Sequence, residues 1–430
     1  QRGYFTIDAN IEKAAATIGL PESLLEQAYK TLSGGQQKLI DLAMIMVSPA
    51  TTLLFDEPTN HMDAWAKRSF IEWLRKQSST ILIVTHDRDI LDVVGTIYEL
   101  KDRKLIEYTG NYQAYLRQNR VSTSTSIHQF EVDTKTVDKL KKQLVEAERK
   151  KLRCKANPNP FVPLVIRLKK QLAEIEDELE KPSAWIDQRS VADLKPDERK
   201  RYEKYKTTGL SLKSKHESTR GSGSTLLNVE GLSVGYDTAL FQPVTFRLLR
   251  GEHMRLQGRN GIGKTSLIHA ITDFIAGNES VTKCFSGFIE VAPKISIAEY
   301  KQHGEDEFRG KTLYEAIEIV LESCGKIVNE QVVRRTLSQY LFDPMADASK
   351  EFEVLSGGEK ARLNLMKLLL TAPDIMILDE PTNHLDLPSI EELESLLHSY
   401  DGAVLFVSHD SYFAKELGGE SVTLSAAVKS

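Results

Sequence analysis

A chain of 430 residues, 41% hydrophobic and 27% charged, is long enough for two sizeable cores and falls in the globular range. Collagen-like, wholly disordered and single small-domain architectures are excluded. The 56 Lys and Arg against 61 Asp and Glu leave a net charge of −5, which as a chain average speaks against a nucleic-acid binder. Cys154, Cys284 and Cys324 are far apart and form no C-x-x-C pair, so zinc ribbons and disulfide frameworks are not expected. A reducing, cytoplasmic compartment is. No run approaches ~18 consecutive apolar residues, and QRGYFTIDAN has neither the basic start nor the apolar core of a leader, so no membrane span is expected. A start at Gln1 rather than Met suggests a fragment.

In chain order, the first motif is LSGGQ at 32–36, which places Ser33, Gly34, Gly35 and Gln36 directly before a helix-like segment. A serine at a helix start with glycines behind it can be a cap or an anion site. FDEPTNHMD at 55–63 and VTHD at 84–87 follow, contributing Glu57 and His86, and GNYQAYL stands at 110–116. VSTSTS at 121–126 reads as a break ending a first domain at about residue 120. Beyond it, apolar residues recur at helical spacing in Val137, Leu140, Leu144 and Ala147, and again in Leu168, Leu172, Ile175 and Leu179. NPNPFVP at 157–163 interrupts them, since its prolines cannot continue a helix. Residues 121–224 are thus predicted to be an antiparallel helical hairpin with a return path through SAWIDQRSVADL and DERKRYEKYK.

A third segment, 225–430, begins after RGSGS. HMRLQ at 253–257 reads as a strand, GRNGIGKT at 258–265 as a glycine loop and SLIHAITDFI at 266–275 as a helix. That context aims backbone N–H groups and a helix N-terminus at phosphates, so Gly258, Arg259, Asn260, Gly261, Ile262, Gly263, Lys264, Thr265 and Ser266 form a candidate phosphate-binding loop. Lys264 would reach the β- and γ-phosphates and the Thr265 hydroxyl would ligate Mg²⁺. LSGGE at 355–359 presents Ser356, Gly357 and Gly358. DIMILDE ends an apolar strand in Asp379, a candidate Mg²⁺ ligand, and Glu380, placed to orient the attacking water. His409, after VLFVS, sits at the tip of the next strand and can bridge γ-phosphate and water.

The two ends of the chain repeat each other. Leu32 and Leu355, Asp56 and Asp379, and His86 and His409 are each separated by 323 residues, so the copies align without a gap. The counterpart of the glycine loop would fall before residue 1, and the first copy therefore reads as lacking its front portion. Leu39 stands where the second copy has Arg362.

The phosphate loop, the LSGGQ-type signature, DEPTNHLD and the terminal histidine, in that order, resemble the ATP-binding cassette ATPases. Two cassettes around a charged hairpin, with GNYQAYL, AWID and YEKYK, resemble their ABC-F subfamily. The resemblance implies an α/β fold of two P-loop NTPase cassettes, the first partial, joined by a helical hairpin arm and paired head to tail within one monomer. It implies one complete ATP site made of Gly258–Thr265, Asp379, Glu380 and His409 facing Ser33, Gly34, Gly35 and Gln36. A second would pair Ser356, Gly357 and Gly358 with Asp56, Glu57 and His86. Tyr236 would stack on adenine, and Gln302 would sense Mg²⁺ and the water. ABC-F arms are implied to touch tRNA and ribosomal RNA, giving a cytoplasmic ATPase that modulates translation or protects the ribosome from antibiotics. Competing readings are a transporter subunit with two fused cassettes and a DNA-repair ATPase, the latter disfavoured by the missing Cys-x-x-Cys modules.

This context resolves the charge. Residues 121–224 carry 23 basic and 16 acidic residues, a net of +7, and the cassettes carry −12. Within 141–170 lie ten basic residues, Lys141, Lys142, Arg149, Lys150, Lys151, Arg153, Lys155, Arg167, Lys169 and Lys170, against Glu146 and Glu148. A basic tip on a projecting arm is the footprint of phosphate-backbone contact. Phe161 at the turn could stack on a base or pack the turn.

Overall fold

The computed structural model describes residues 2–20, 25–32, 34–60, 62–101, 104–156, 159–179, 185–187, 190–191, 193–205, 223–300, 305–340, 342–371, 373–383 and 385–427. The chain divides into two units, Gln1–Val93 with Thr208–Ser430, and Val94–Thr207.

In the first unit the duplication is structural as well as sequential. Strands Thr52–Asp56 and Thr80–Val84 pair in parallel, and Ile375–Asp379 and Ala403–Val407, each 323 residues later, pair in the same register. In the second copy these strands sit within a five-stranded parallel sheet. Its order is Glu420–Thr423, His253–Gln257, Ala403–Val407, Ile375–Asp379 and Ile297–Tyr300. Successive side chains of a strand point to opposite faces. Met376, Leu378, Val404 and Phe406 therefore join one cluster with helices Leu313–Ser323, Glu330–Gln339, Gly357–Thr371 and Leu387–His398. Ile375, Ile377, Leu405 and Val407 join another, with helix Lys264–Ala276 and the antiparallel sheet Val244–Leu249, Thr225–Gly235, Lys283–Val291. A sheet covered on both faces needs continuous apolar strands, which is what IMIL and AVLFV supply. In the first copy Leu53 and Phe55 are buried, with Phe55 edge-on to Phe70 at 5.6 Å, whereas the opposite face exposes Leu54, Leu82 and Val84.

The second unit holds an antiparallel ribbon, Thr96–Lys101 with Lys104–Thr109, and then the 42-residue helix Tyr112–Arg153. Asn111 caps that helix by accepting from the Ala114 N–H. Tyr112, Tyr115 and Trp185 stack around its start, Tyr108 meets Tyr115 edge-on, and Glu99 accepts from the hydroxyls of Tyr108 and Tyr115. The break expected at VSTSTS is corrected: these residues are helical. The Thr125 hydroxyl bonds back to the Val121 carbonyl at 2.9 Å, so the polar side chain is satisfied without ending the helix. Val162–Glu178 forms the partner helix. Pro163 belongs to its first turn, where a missing N–H costs nothing. The expected seam forms, with Ala147, Val165 and Leu168 buried against Leu140 and Leu144, and Lys141–Glu176 and Lys169–Glu148 ion pairs flank it. A short helix, Pro196–Tyr205, returns the chain, its Tyr202 hydroxyl bonded to both the N–H and the carbonyl of Ile186.

Candidate nucleotide site

Ligands of open parallel sheets bind beyond the carboxyl ends of the strands. There, in the first unit, a cavity of about 720 Å³ is lined by Asn260, Gly261, Gly263, Lys264, Thr265 and Ser266 of the glycine loop and by Tyr236, Asp379, Glu380 and His409. Thr59 and Met62 of the first copy complete it. The loop leaves strand His253–Gln257 and enters helix Lys264–Ala276 through Gly263, whose φ of 105° suits glycine alone. A Cβ at Gly258, φ 154°, would meet Ile262 at 2.9 Å, so the backbone can close this tightly only without one. Lys264 curls back to the carbonyls of Gly258 and Arg259 at 2.9 and 3.3 Å. Burial lowers its pKa against the pull of Glu380 and Asp379. Arg259 lies over the Trp65 ring at 5.9 Å.

The Thr265 hydroxyl donates to Asp379 at 2.9 Å. Two hard oxygen donors side by side in a roomy cavity fit Mg²⁺, which keeps most of its waters. Glu380 has φ 49°, as its counterpart Glu57 has 45°; both are among the three non-glycine residues with positive φ among the described residues. Each strained residue is pinned by its own N–H, to Val407 and Val84 respectively. Burial, with Asp379 adding, pushes the Glu380 carboxyl up to about 7. One of its oxygens accepts from the His409 N–H at 3.1 Å. The other, Oε1, is buried without a hydrogen-bond partner, although His409 Nε2 lies 3.2 Å away. Such an orphaned acceptor in a cavity fits a water to be activated. Burial, with the Lys264 charge adding, lowers His409 to about 3 and holds it neutral.

The copies meet at this site. Asp63 caps helix Ala64–Arg75 with one oxygen, and with the other accepts from the Asn260 N–H of the phosphate loop at 3.3 Å. Asp63, Thr59, Glu299 and His269 were not singled out from the sequence. Only the repeated DEPTNHMD motif pointed to Thr59 and Asp63, and nothing to Glu299 or His269. Tyr236 is half exposed at the cavity wall. Gln302 and Ser33 lie outside the described residues. Gly34, Gly35 and Gln36 open helix Gly34–Met46.

In the second signature Ser356 precedes helix Gly357–Thr371, whose first residues are Gly357 and Gly358. Ser356 and Glu359 form a reciprocal cap: the serine N–H and hydroxyl each donate to Glu359 at 2.8 Å, and the Glu359 N–H returns to the hydroxyl at 3.3 Å. Burial opposes the Glu359 charge, but these bonds and Lys350 bring it down to about 2. Arg362 lies over the Phe342 ring at 5.0 Å. In the first copy Glu57 accepts from His86 Nδ1–H at 2.9 Å.

Comparison with known proteins agrees with this geometry. A family model described as ABC transporter matches residues 241–383, and an AAA domain model matches residues 9–92. YdiF of Bacillus subtilis is 32% identical over 429 residues, covering 99% of this chain and 60% of that protein. The Ribosome protection protein VmlR of Bacillus subtilis is 29% identical, covering 92% and 69%, and ABC transporter F family member 5 of Arabidopsis thaliana is 30% identical, covering 96% and 54%. The chain thus spans well under the full length of several relatives it matches. Among solved structures, RNase-L Inhibitor superposes with a TM-score of 0.59 over 97% of this chain and 66% of its own, at 19% identity. Among the described residues no helix is long and apolar enough to cross a membrane. The fold is α/β, two P-loop NTPase cassettes joined by a helical hairpin, and the chain is similar over nearly its whole length to ABC-F type ATP-binding proteins.

Proposed function

We propose that the cavity binds and hydrolyses ATP with Mg²⁺ and that the hydrolysis times an action on the ribosome. The observation that carries this reading is the convergence of Lys264, Thr265, Asp379, Glu380 and His409 on one cavity, with Asp63 of the other copy docked on the loop. Lys264, partly freed from its loop carbonyls, receives the phosphates. Thr265 and Asp379 would hold Mg²⁺, which when bound would supply charge neutralisation at the phosphates. Glu380, poised near pH 7, takes the proton of the attacking water, and neutral His409 orders water and phosphate. Tyr236 covers the base, and Ser33 to Gln36 close on the phosphates from the first copy. Residues 1–120 act as a partial first cassette, 121–224 as the arm and 225–430 as the second cassette.

The ribosomal part of the reading is supported by the arm and by the name of VmlR. Around the arm's turn Lys142, Arg149, Lys151, Arg153, Lys155 and Arg167 are exposed and have no carboxylate partner among the described residues. Cations without a carboxylate partner among the described residues suit RNA phosphates, of tRNA or ribosomal RNA. The test is Glu380→Gln combined with Glu57→Gln: cosedimentation with ribosomes becomes ATP-stable, and unchanged ribosome binding would sink the mechanism. The transporter description of the family model supports a second reading, a cassette subunit; it predicts copurification with an integral membrane protein instead of ribosomal RNA.

A further inference from the structure

Lys67 is buried on helix Ala64–Arg75, in the first copy. Its ammonium lies 2.8 Å from Asp87, 2.7 Å from Asp89 and 3.2 Å from the backbone carbonyl of His409 in the second copy. An ammonium has three donors, and here each has an acceptor. The second oxygen of Asp89 accepts from the Ser411 hydroxyl at 2.6 Å, tying the same turn of the second copy down again. On its other side the His409 peptide is held by its N–H to Glu380. The residue that orders water and phosphate is thus clamped between the carboxylate it works with and a cation from the other copy.

Packing alone does not ask for that cation. The counterpart of Lys67, 323 residues on, is Ile390, fully buried, and the counterparts of Asp87 and Asp89 are Asp410 and Tyr412. A hydrophobic residue fills the same helix position in the second copy, and a buried ion cluster is seldom more stable than its hydrophobic equivalent. The second copy's equivalent helix meets the first copy's turn through a side-chain pair, Glu394 with Arg88 at 2.8 Å, whereas Lys67 bonds the backbone of His409 itself.

We propose that Lys67 is a positioning residue for the reaction in the cavity: by holding the His409 carbonyl it fixes the imidazole relative to Glu380, so the first copy's turn 86–89 sets the geometry of the second copy's site. This rests on the ATPase reading, and the test separates the two.

Lys67→Met, Lys67→Arg and the milder Asp89→Asn are made in the chain as it stands. Amide hydrogen exchange of peptides covering 408–411 is measured together with kcat and KM for ATP. Lys67→Met is expected to speed exchange at 408–411 and to lower kcat about 10-fold with KM nearly unchanged, the scale of a displaced catalytic group. Lys67→Arg, which restores cation and donors, recovers part of both, and Asp89→Asn falls between. If Lys67→Met fails to fold, the other two variants carry the same comparison. Unaltered local exchange overturns the proposal. So does a kcat loss accompanied by an equal rise in KM, or by faster exchange throughout strands Ile375–Asp379 and Ala403–Val407, since either marks a merely structural ion cluster. A wild-type chain that does not turn over ATP, with local exchange still faster in Lys67→Met, overturns the ATPase reading and supports the clamp.

Discussion

Glu57 and His86 in the first copy, and Glu380 and His409 in the second, stand on equivalent strand ends with the same positive φ and the same pinning N–H bond. Their electrostatics are opposite. Burial also lowers His86, but the Glu57 hydrogen bond and the charges of Glu57, Asp87 and Asp410 outweigh it, so its pKa is raised. His409, buried beside Lys264, is lowered to about 3. The backbone turn is thus a local property of DEPTNH, whereas the acid–base character comes from what tertiary structure sets around it. In the second copy the phosphate loop and helix Lys264–Ala276 lie over the strand face that in the first copy carries exposed Leu54, Leu82 and Val84.

The sharpest way to break this comparison is at the glutamates. Glu380→Gln is expected to lower phosphate release about 100-fold or more, the range for a lost general base. Glu57→Gln should lower it less, because its histidine pair has no counterpart of Lys264 beside it among the described residues. Equal losses would mean that the pair, not its surroundings, defines the site. Since the base form of Glu380 is required, the wild-type rate should climb as pH rises through about 7, and a flat profile between pH 6 and 8 would exclude Glu380 as that base.

A second test compares cores. Ile377→Ala removes a fully buried side chain between strand and helix and should cost about 3 kcal/mol. Leu54→Ala, at the equivalent position and 66% exposed, should cost under about 0.5 kcal/mol. Urea denaturation reads both, and comparable losses would mean that Leu54 is covered in solution.

The strands, the phosphate loop and the register of the repeat were legible because each is local: IMIL, GRNGIGKT and DEPTNH specify their own geometry within a few residues. The seam of the hairpin was legible from helical spacing alone. What could not be read joins distant segments. Asp63 reaches Asn260 across 197 residues, and Lys67 reaches His409 across 342. The Ser/Thr run misled because side chains that usually favour breaks can also bond back to their own helix, and Thr125 does so. The strain at Glu57 and Glu380 left no mark in residue type, glutamate being an ordinary choice after aspartate.

The smallest effect is the most specific, because the two histidines should bend the stability curve in opposite directions. His86 has a raised folded pKa. Its contribution is fully present below the unfolded value of about 6.5 and is lost as pH rises through the folded value. His409 has a lowered one: between about 3 and 6.5 the unfolded chain binds a proton that the folded chain refuses, so stability falls as pH drops through that window. His86→Gln should therefore be more destabilising at pH 6 than at pH 9. His409→Gln should gain stability relative to wild type between pH 6 and 5. The measurement is Tm against pH for wild type and both variants, with differences of a few degrees. Curves that shift in the same direction would show that the two pairs share one environment, and the contrast drawn between the copies would fail.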